Sequence, residues 1–238
     1  MTSSVAQGLL AIWANIDADY VEEFLQWHNC EHVPERVNIP GFHVGRRYRA
    51  LEDERDFFMV YETDTADVMQ SEPYLHSQNH PTPWTRKSIG HFRGTLRTIY
   101  TLVASEGQRP ALDAPYLLLV RSNPPDAPGG VGEVMQWYKE EHLPRLCAVA
   151  GTLRARLYRA ETAISNIVTA ERQVHGASAG EQEFLAIYEL LSPEIPASDA
   201  WREAARGTDW SARMVAALRD LERERYWLDF ALWATGQR

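Results

Sequence analysis

The chain of 238 residues is 45% hydrophobic and 24% charged, long enough for one large domain or two small ones, and its composition excludes a disordered tail or a fibre. With 24 basic against 33 acidic residues it carries a formal charge of −9, which repels phosphate backbones and anionic lipid, so neither nucleic acid nor a membrane surface is an expected partner. Cys30 and Cys147 form no CxxC pair, and the first apolar run is too short for a signal segment or a membrane span, so a reducing, cytoplasmic setting is expected.

In chain order, LLAIWANI (Leu9 to Ile16) is apolar enough for a buried strand. Asp17 or Asp19 is placed to cap a helix in which Val21, Phe24, Leu25, His28 and His32 share one face, and Pro34 is expected to close it. GFHVGRRYRA and DFFMVYET then read as two strands joined by an acidic turn. An irregular helical stretch follows over Thr65 to Ile89, broken at NHPTPW, and Phe92 to Val103 alternates as a closing strand. Ser105 to Ala114 has the composition of a linker. Beyond it the same order runs through YLLLVRSN, a helix near Val131 to Arg145, TLRARLYRA, FLAIYELL, a helix near Asp199 to Arg223, and YWLDFALWA.

The two halves are also alike residue by residue. Phe24 to Ala50 and Val134 to Ala160, offset by 110, agree without a gap at 10 of 27 positions, among them Trp27/Trp137, Glu31/Glu141, His32/His142, Pro34/Pro144, Gly41/Gly151, Arg46/Arg156 and Tyr48/Tyr158. FFMVYE and FLAIYE match next at an offset of 127, so the second half carries 17 extra residues between Ala160 and Phe184. That insert, at 161–183 and rich in Gly, Ala and Ser around Gly176 to Gly180, reads as a mobile loop. The domain reading is a first repeat at 1–104, a linker at 105–114 and a second repeat at 115–238. A β-α-β-β-α-β unit folds as an antiparallel sheet with both helices on one face. The expected class is therefore α+β: tandem ferredoxin-like repeats whose antiparallel sheets pack face to face as a pseudo-dimeric α+β barrel.

The W-x-x-x-E-H-hydrophobic-P motif at Trp27 to Pro34 and at Trp137 to Pro144, with a glycine and an R-x-Y strand after it, resembles the dimeric α+β barrel superfamily, EthD-like proteins being the nearest branch. The resemblance spans nearly the whole chain. It implies a small, often aromatic molecule bound between sheet and helices, and it covers isomerases, cofactor-free monooxygenases, dehydratases, decarboxylases and haem-binding branches, so it names no reaction.

Several polar residues stand where apolar ones would otherwise pack. His32 and His142 lie on the apolar stripes of their helices, one turn from His28 and Tyr138, and the four side chains are expected to line a cavity with an imidazole as general acid or base. The competing reading is a histidine that caps the last carbonyls of its own helix. Glu31 either orients His32 or, like Glu141, clamps helix to sheet through Arg46 or Arg156. Arg46 and Tyr48, and Arg156 with Tyr158, share a strand face and can steady an anionic oxygen. Asn79, His80 and Trp84 belong to the segment that differs most between halves and are expected to rim a pocket. His28/His32 and His76/His80 have the i, i+4 spacing of a metal pair, but no third ligand is evident, and no histidine is singled out for haem. A phosphate loop and a nucleophile elbow are both missing from the sequence.

The sequence reading is a cofactor-independent enzyme acting on an aromatic or ring-derived acid by proton transfer at His32 or His142, as an isomerase or a lyase. Its rivals are a cofactor-free monooxygenase in the same pocket and a non-catalytic small-ligand carrier. A small molecule is the expected partner, and free sheet edges and helices leave room for pairing with a further copy.

Overall fold

The computed structural model describes residues 5–53 and 55–235. Its elements in chain order are β1 (Gly8–Ile16), α1 (Val21–Trp27), α2 (Val33–Val37), β2 (Phe42–Ala50), β3 (Phe57–Thr63), α3 (Glu72–Asn79), α4 (Pro83–Ile89) and β4 (Phe92–Gly107). There follow β5 (Tyr116–Asn123), α5 (Gly130–Trp137), α6 (Leu143–Cys147), β6 (Thr152–Ala160), α7 (Thr162–Ser165), α8 (Ala170–His175), β7 (Phe184–Leu190), α9 (Asp199–Arg206), α10 (Asp209–Ala217) and β8 (Arg219–Trp233). Among the described residues no helix is long and apolar enough to cross a membrane.

The chain divides into two compact units. Unit 1 holds the residues up to Thr101, Glu161–Gly180 and those from Asp229 on, and unit 2 holds Leu102–Ala160 and Glu181–Leu228. In unit 1, β1 pairs antiparallel with β3 and β4, and β3 with β2, giving the strand order β4-β1-β3-β2. β3 is buried along its whole length, as a central strand covered on both faces must be. Helices cover the face that carries Leu10, Tyr61 and Ile99, where Val33, Val37 and Tyr74 pack against it. In unit 2, β5 pairs antiparallel with β7 and β8, and β7 with β6, in the order β8-β5-β7-β6, and its core is built on Trp137, Leu143, Tyr188 and Trp201.

The return from helix to strand needs glycine in both units. Gly41 and Gly151 have φ of +92° and +89°. A Cβ there would be strained in itself and would come within 2.8 Å of Val68 or 2.6 Å of Ile195. Identical chemistry at this turn is one source of the sequence match at the offset of 110.

Several expectations are corrected. Neither Asp17 nor Asp19 caps α1, whose N-cap residue Tyr20 makes no side-chain cap bond; Asp17 pairs instead with His91 and Arg93. β4 runs on through Gly107, so the linker composition of 105–107 gives way to strand pairing, and the residues from 102 already fold with unit 2. The helix expected to reach Arg223 ends at Ala217, and β8 begins at Arg219, where its ladder with β5 starts at Asn123. The insert is not a mobile loop of the second repeat. It forms α7 and α8, and its 161–180 portion folds with unit 1, where Ser178 bridges Leu96 and Glu161 N–H bonds the carbonyl of Ile99. The final segment also joins unit 1, because Asp229 pairs with Arg47 and Arg49.

Candidate functional site

The helix that carries the E-H-x-P motif does not stop at its proline. Between α1 and α2 the backbone makes one π turn over His28–His32, the N–H of Val33 reaching the carbonyl of His28, five residues back. Proline has no N–H to offer Cys30, and its ring crowds that carbonyl in an α-helix; the wider turn removes both conflicts, so Pro34 sits in the first turn of α2. Unit 2 repeats the solution at Tyr138–His142, with Leu143 N–H on the Tyr138 carbonyl and Pro144 in the first turn of α6. Because both helices continue, neither His32 nor His142 is a terminal cap. The stripe extends one turn further to Arg36, which is 1% exposed.

In unit 1 this helix, β1, β3, β4, α3 and α8 enclose a cavity that leaves about 40 Å³ open to the centre of a water-sized molecule. Trp27, Met59 and Phe92 give it apolar walls. His28 is held between two partners: the Arg47 guanidinium donates to its Nδ1 at 3.1 Å, and its Nε2 lies 3.5 Å from the Tyr61 hydroxyl. That donor requires a neutral ring with the proton on Nε2. Burial, and then the Arg47 charge, hold the His28 pKa well below the usual imidazole range. Burial pushes the Tyr61 phenol up, so it stays protonated.

His32 differs from its neighbour. Its ring lies 4.5 Å from that of Trp27 and 5.7 Å from that of His28, and its buried Nδ1 has no hydrogen-bond partner among the described residues. Burial first, then the charges of Arg36, His28 and His175, hold its pKa well below the usual value, so the imidazole is neutral at pH 7.

Beyond His32 lies a buried polar network. Arg36 Nη2 donates to Glu171 Oε1 at 2.5 Å, Gln78 Nε2 donates to Glu171 Oε2 at 2.7 Å, and Arg36 Nη1 also bonds Ser77. Arg97 donates to the Tyr74 hydroxyl at 2.8 Å. His175 accepts the Ala177 N–H on Nδ1, and burial together with Arg97 and Arg172 pushes its pKa down to about 4.

Unit 2 has a counterpart leaving about 50 Å³ open, lined by Trp137, Tyr138, His142, Tyr188 and Trp201. Arg206 and Arg223 also line it, and no carboxylate does. Tyr138 replaces His28 and hydrogen-bonds Tyr188, with its pKa raised to about 12 mainly by burial. Burial, followed by Arg145 and Arg223, pushes His142 down to about 3, and its Nδ1 is also without a partner among the described residues.

Of the residues singled out in the sequence, the structure gathers His28 and His32 at one cavity and Tyr138 and His142 at the other. Glu31 is elsewhere. Its Oε1 accepts from Thr82 at 2.6 Å and Thr85 at 2.9 Å, and Thr85 in turn accepts from Trp27 Nε1, which ties the motif helix to the start of α4. Glu141 does the same with Thr208 and Ser211 at α10. The clamp thus exists, but its partners are hydroxyls at a helix N-terminus, where a carboxylate is favoured, and not arginines.

Arg46 is opposite Val60 in the ladder, so it faces away from the helices that cover Met59 and Tyr61. It pairs with Glu62 at 2.9 Å and lies 4.7 Å over the Trp233 ring, while the Tyr48 ring on the same face lies tilted 6.0 Å from that of Phe58. Arg156 bonds Glu189 and Tyr158. None of the three lines either of these two cavities, because the strand alternation that unites them turns them away from the helices.

Asn79 and His80 are exposed. Asn79 accepts the Ala170 N–H at the start of α8, His80 bonds the His76 carbonyl, and Trp84 packs against the Phe24 and Trp27 cluster. Among the described residues no three His, Cys, Asp or Glu side chains are grouped to hold a metal, and the His28 lone pair is already taken by Arg47.

The sequence reading missed Arg36, Gln78, Arg97, Glu171 and His175. The signals were present: 28, 32 and 36 continue one stripe, Glu171 and His175 are four apart, and Arg97 lies two positions from Thr95 and Ile99 on a strand.

No protein-family model matches the chain, and no curated protein matches it in sequence. Solved structures do. An anthrone oxidase-like protein aligns with 100% of this chain and 98% of its own at 9% identity and a TM-score of 0.64. A candidate monooxygenase from Fusobacterium nucleatum aligns over 96% and 95% at 7% identity and 0.60. A mutant chlorite dismutase from Candidatus Nitrospira defluvii aligns over 95% and 93% at 11% identity and 0.56. These neighbours are dimeric α+β barrel, ferredoxin-like proteins, and the chain shares their mixed α+β fold. At such identities the likeness is one of fold.

Proposed function

We propose that the unit 1 cavity is the active site of a cofactor-independent oxidase or monooxygenase acting on a small aromatic carbon acid. The observation that carries this reading is a neutral, buried His32 with a partnerless nitrogen, set between aromatic walls and buried arginines. A neutral imidazole accepts a proton, and the negative charge that appears on the substrate stabilises the imidazolium, which the cationic surroundings otherwise disfavour. The resulting carbanion, delocalised into an adjoining carbonyl, is itself the reductant of dioxygen. One ring CH2 loses both hydrogens and gains one oxygen atom as a ketone; the second oxygen leaves with the two hydrogens as water.

The isomerase and lyase readings share the proton abstraction but stop before oxygen. The names of two neighbours, an anthrone oxidase-like protein and a candidate monooxygenase, favour continuing to it. The E-H-x-P motif helps set the geometry through the π turn and the Glu31 clamp, and Glu31 is not proposed as a catalytic group.

The test is oxygen uptake with anthrone as the probe, corrected for its autoxidation. The full chain is expected to consume oxygen, and His32→Gln to lower the rate by about a hundredfold or more. An unchanged rate in the variant, or no uptake above background in the wild type, contradicts the reading.

A further inference from the structure

The charges around the unit 1 cavity do not balance locally. Arg36 is neutralised: Glu171 pairs with it at 2.5 Å, and the partly exposed Glu35 adds a second carboxylate at 3.4 Å. Both oxygens of Glu171 are then committed, one to Arg36 and the other to Gln78. Arg97 is 8% exposed, yet the one hydrogen-bond partner of its guanidinium among the described residues is the neutral hydroxyl of Tyr74. Arg172, the next cation along, is held by the neutral carbonyls of Ser165, Ile167 and Ala177 and offers no compensation. A buried cation facing a cavity without a counter-ion is costly to the folded protein, whereas a bound anion repays that cost at once.

We propose that this cavity takes its ligand as an anion, a small aromatic molecule whose single carboxylate or phenolate oxygen seats on Arg97 while its ring lies against Trp27 and Phe92. The 161–180 segment makes this selective. By supplying Glu171 it satisfies Arg36 and leaves one cation for one negative charge, and through Ser178 it fixes the stretch of β4 from which Arg97 projects, the Arg97 N–H donating to the Ser178 carbonyl at 2.9 Å. Unit 2 lacks this segment; its cavity is lined by Arg206 and Arg223 with no carboxylate among its walls, and both of those arginines are exposed, whereas Arg97 is buried. The inference rests on the reading of the unit 1 cavity as the site, and it adds the charge of the ligand and the residue that selects it.

The experiment uses benzoate and its neutral isostere benzamide, titrated into the full chain at pH 7.5 and followed by calorimetry. Benzoate is expected to bind at least about tenfold more tightly than benzamide. Arg97→Gln should abolish that preference while leaving benzamide unchanged, and Arg97→Lys should keep part of it. Without ligand, Arg97→Gln should melt no lower than the wild type, because it removes an uncompensated buried charge. Equal affinities, no binding of benzoate, or a destabilised Arg97→Gln variant each overturn the proposal, the last by making Arg97 a structural residue. His32→Gln separates the two claims. If it still prefers benzoate while the wild type fails to oxidise anthrone, the anion seat stands and the oxidation reading falls; oxidation without the preference gives the reverse.

Discussion

His32 and His142 hold the same place in two copies of one motif, and both imidazoles are kept neutral by burial. This has a measurable cost in acid. The unfolded chain binds a proton at His142 below about pH 6.5, the folded chain only near 3, so stability falls as the pH drops through that window, by about 1.4 kcal/mol per unit. Above pH 6.5 both states are neutral and the residue makes no pH-dependent contribution. His142→Phe removes the proton uptake of the unfolded chain. Urea unfolding at pH 7.5 and pH 5.0 should show the wild type losing about 2 kcal/mol more than the variant between the two conditions. Equal losses would contradict the buried, neutral state. Residue type and spacing revealed both histidines because a polar group on an apolar stripe is conspicuous. Arg97 was not conspicuous, because a single arginine in an alternating strand is usually solvated, and only the depth of β4 distinguishes it.

At the scale of elements, the strands other than β4 and β8 were legible nearly to the residue. Runs such as LLAIWANI and FFMVYE are too apolar for anything but a covered strand, and glycine marks the turn at Gly41 and Gly151. What misled were the breakers. Pro34 read as a helix end, yet the π turn accommodates it, as its counterpart accommodates Pro144, and the stripe therefore reaches Arg36 and Leu146. The Gly-Ala-Ser composition of 176–180 obscured the two short helices before it, whose stability comes from tertiary contacts and not from local propensity. The Arg36–Glu171 pair is the chief such contact. Glu171→Ala should destabilise the protein by about 3 to 5 kcal/mol, because it strands a buried guanidinium, and the double variant Arg36→Met, Glu171→Leu should recover most of that loss. Chemical denaturation of the three variants measures the cycle. A single variant as stable as the wild type would detach the insert from the core of unit 1.

For the whole molecule, the α+β class and the antiparallel pairing follow from hydrophobic pattern alone, while the division into units does not. The chain leaves unit 1 within β4, returns for the insert, and returns once more from Asp229, because long-range ion pairs and strand bridges outweigh nearness in sequence. The result is two cavities built on one motif with unequal chemistry. Unit 1 gathers His28, His32 and the buried Arg36, Arg97 and Glu171, and unit 2 sets His142 among tyrosines and tryptophans with the exposed Arg206 and Arg223 at its wall. The oxidation proposed above is placed in the first. The most direct test is the mass of anthraquinone formed from anthrone under ¹⁸O₂ by the wild type, His32→Gln and His142→Gln. The account predicts one ¹⁸O atom in the product of the wild type and of His142→Gln, and little enzymatic product from His32→Gln. Product free of ¹⁸O, or its loss in His142→Gln with His32→Gln unaffected, would contradict it.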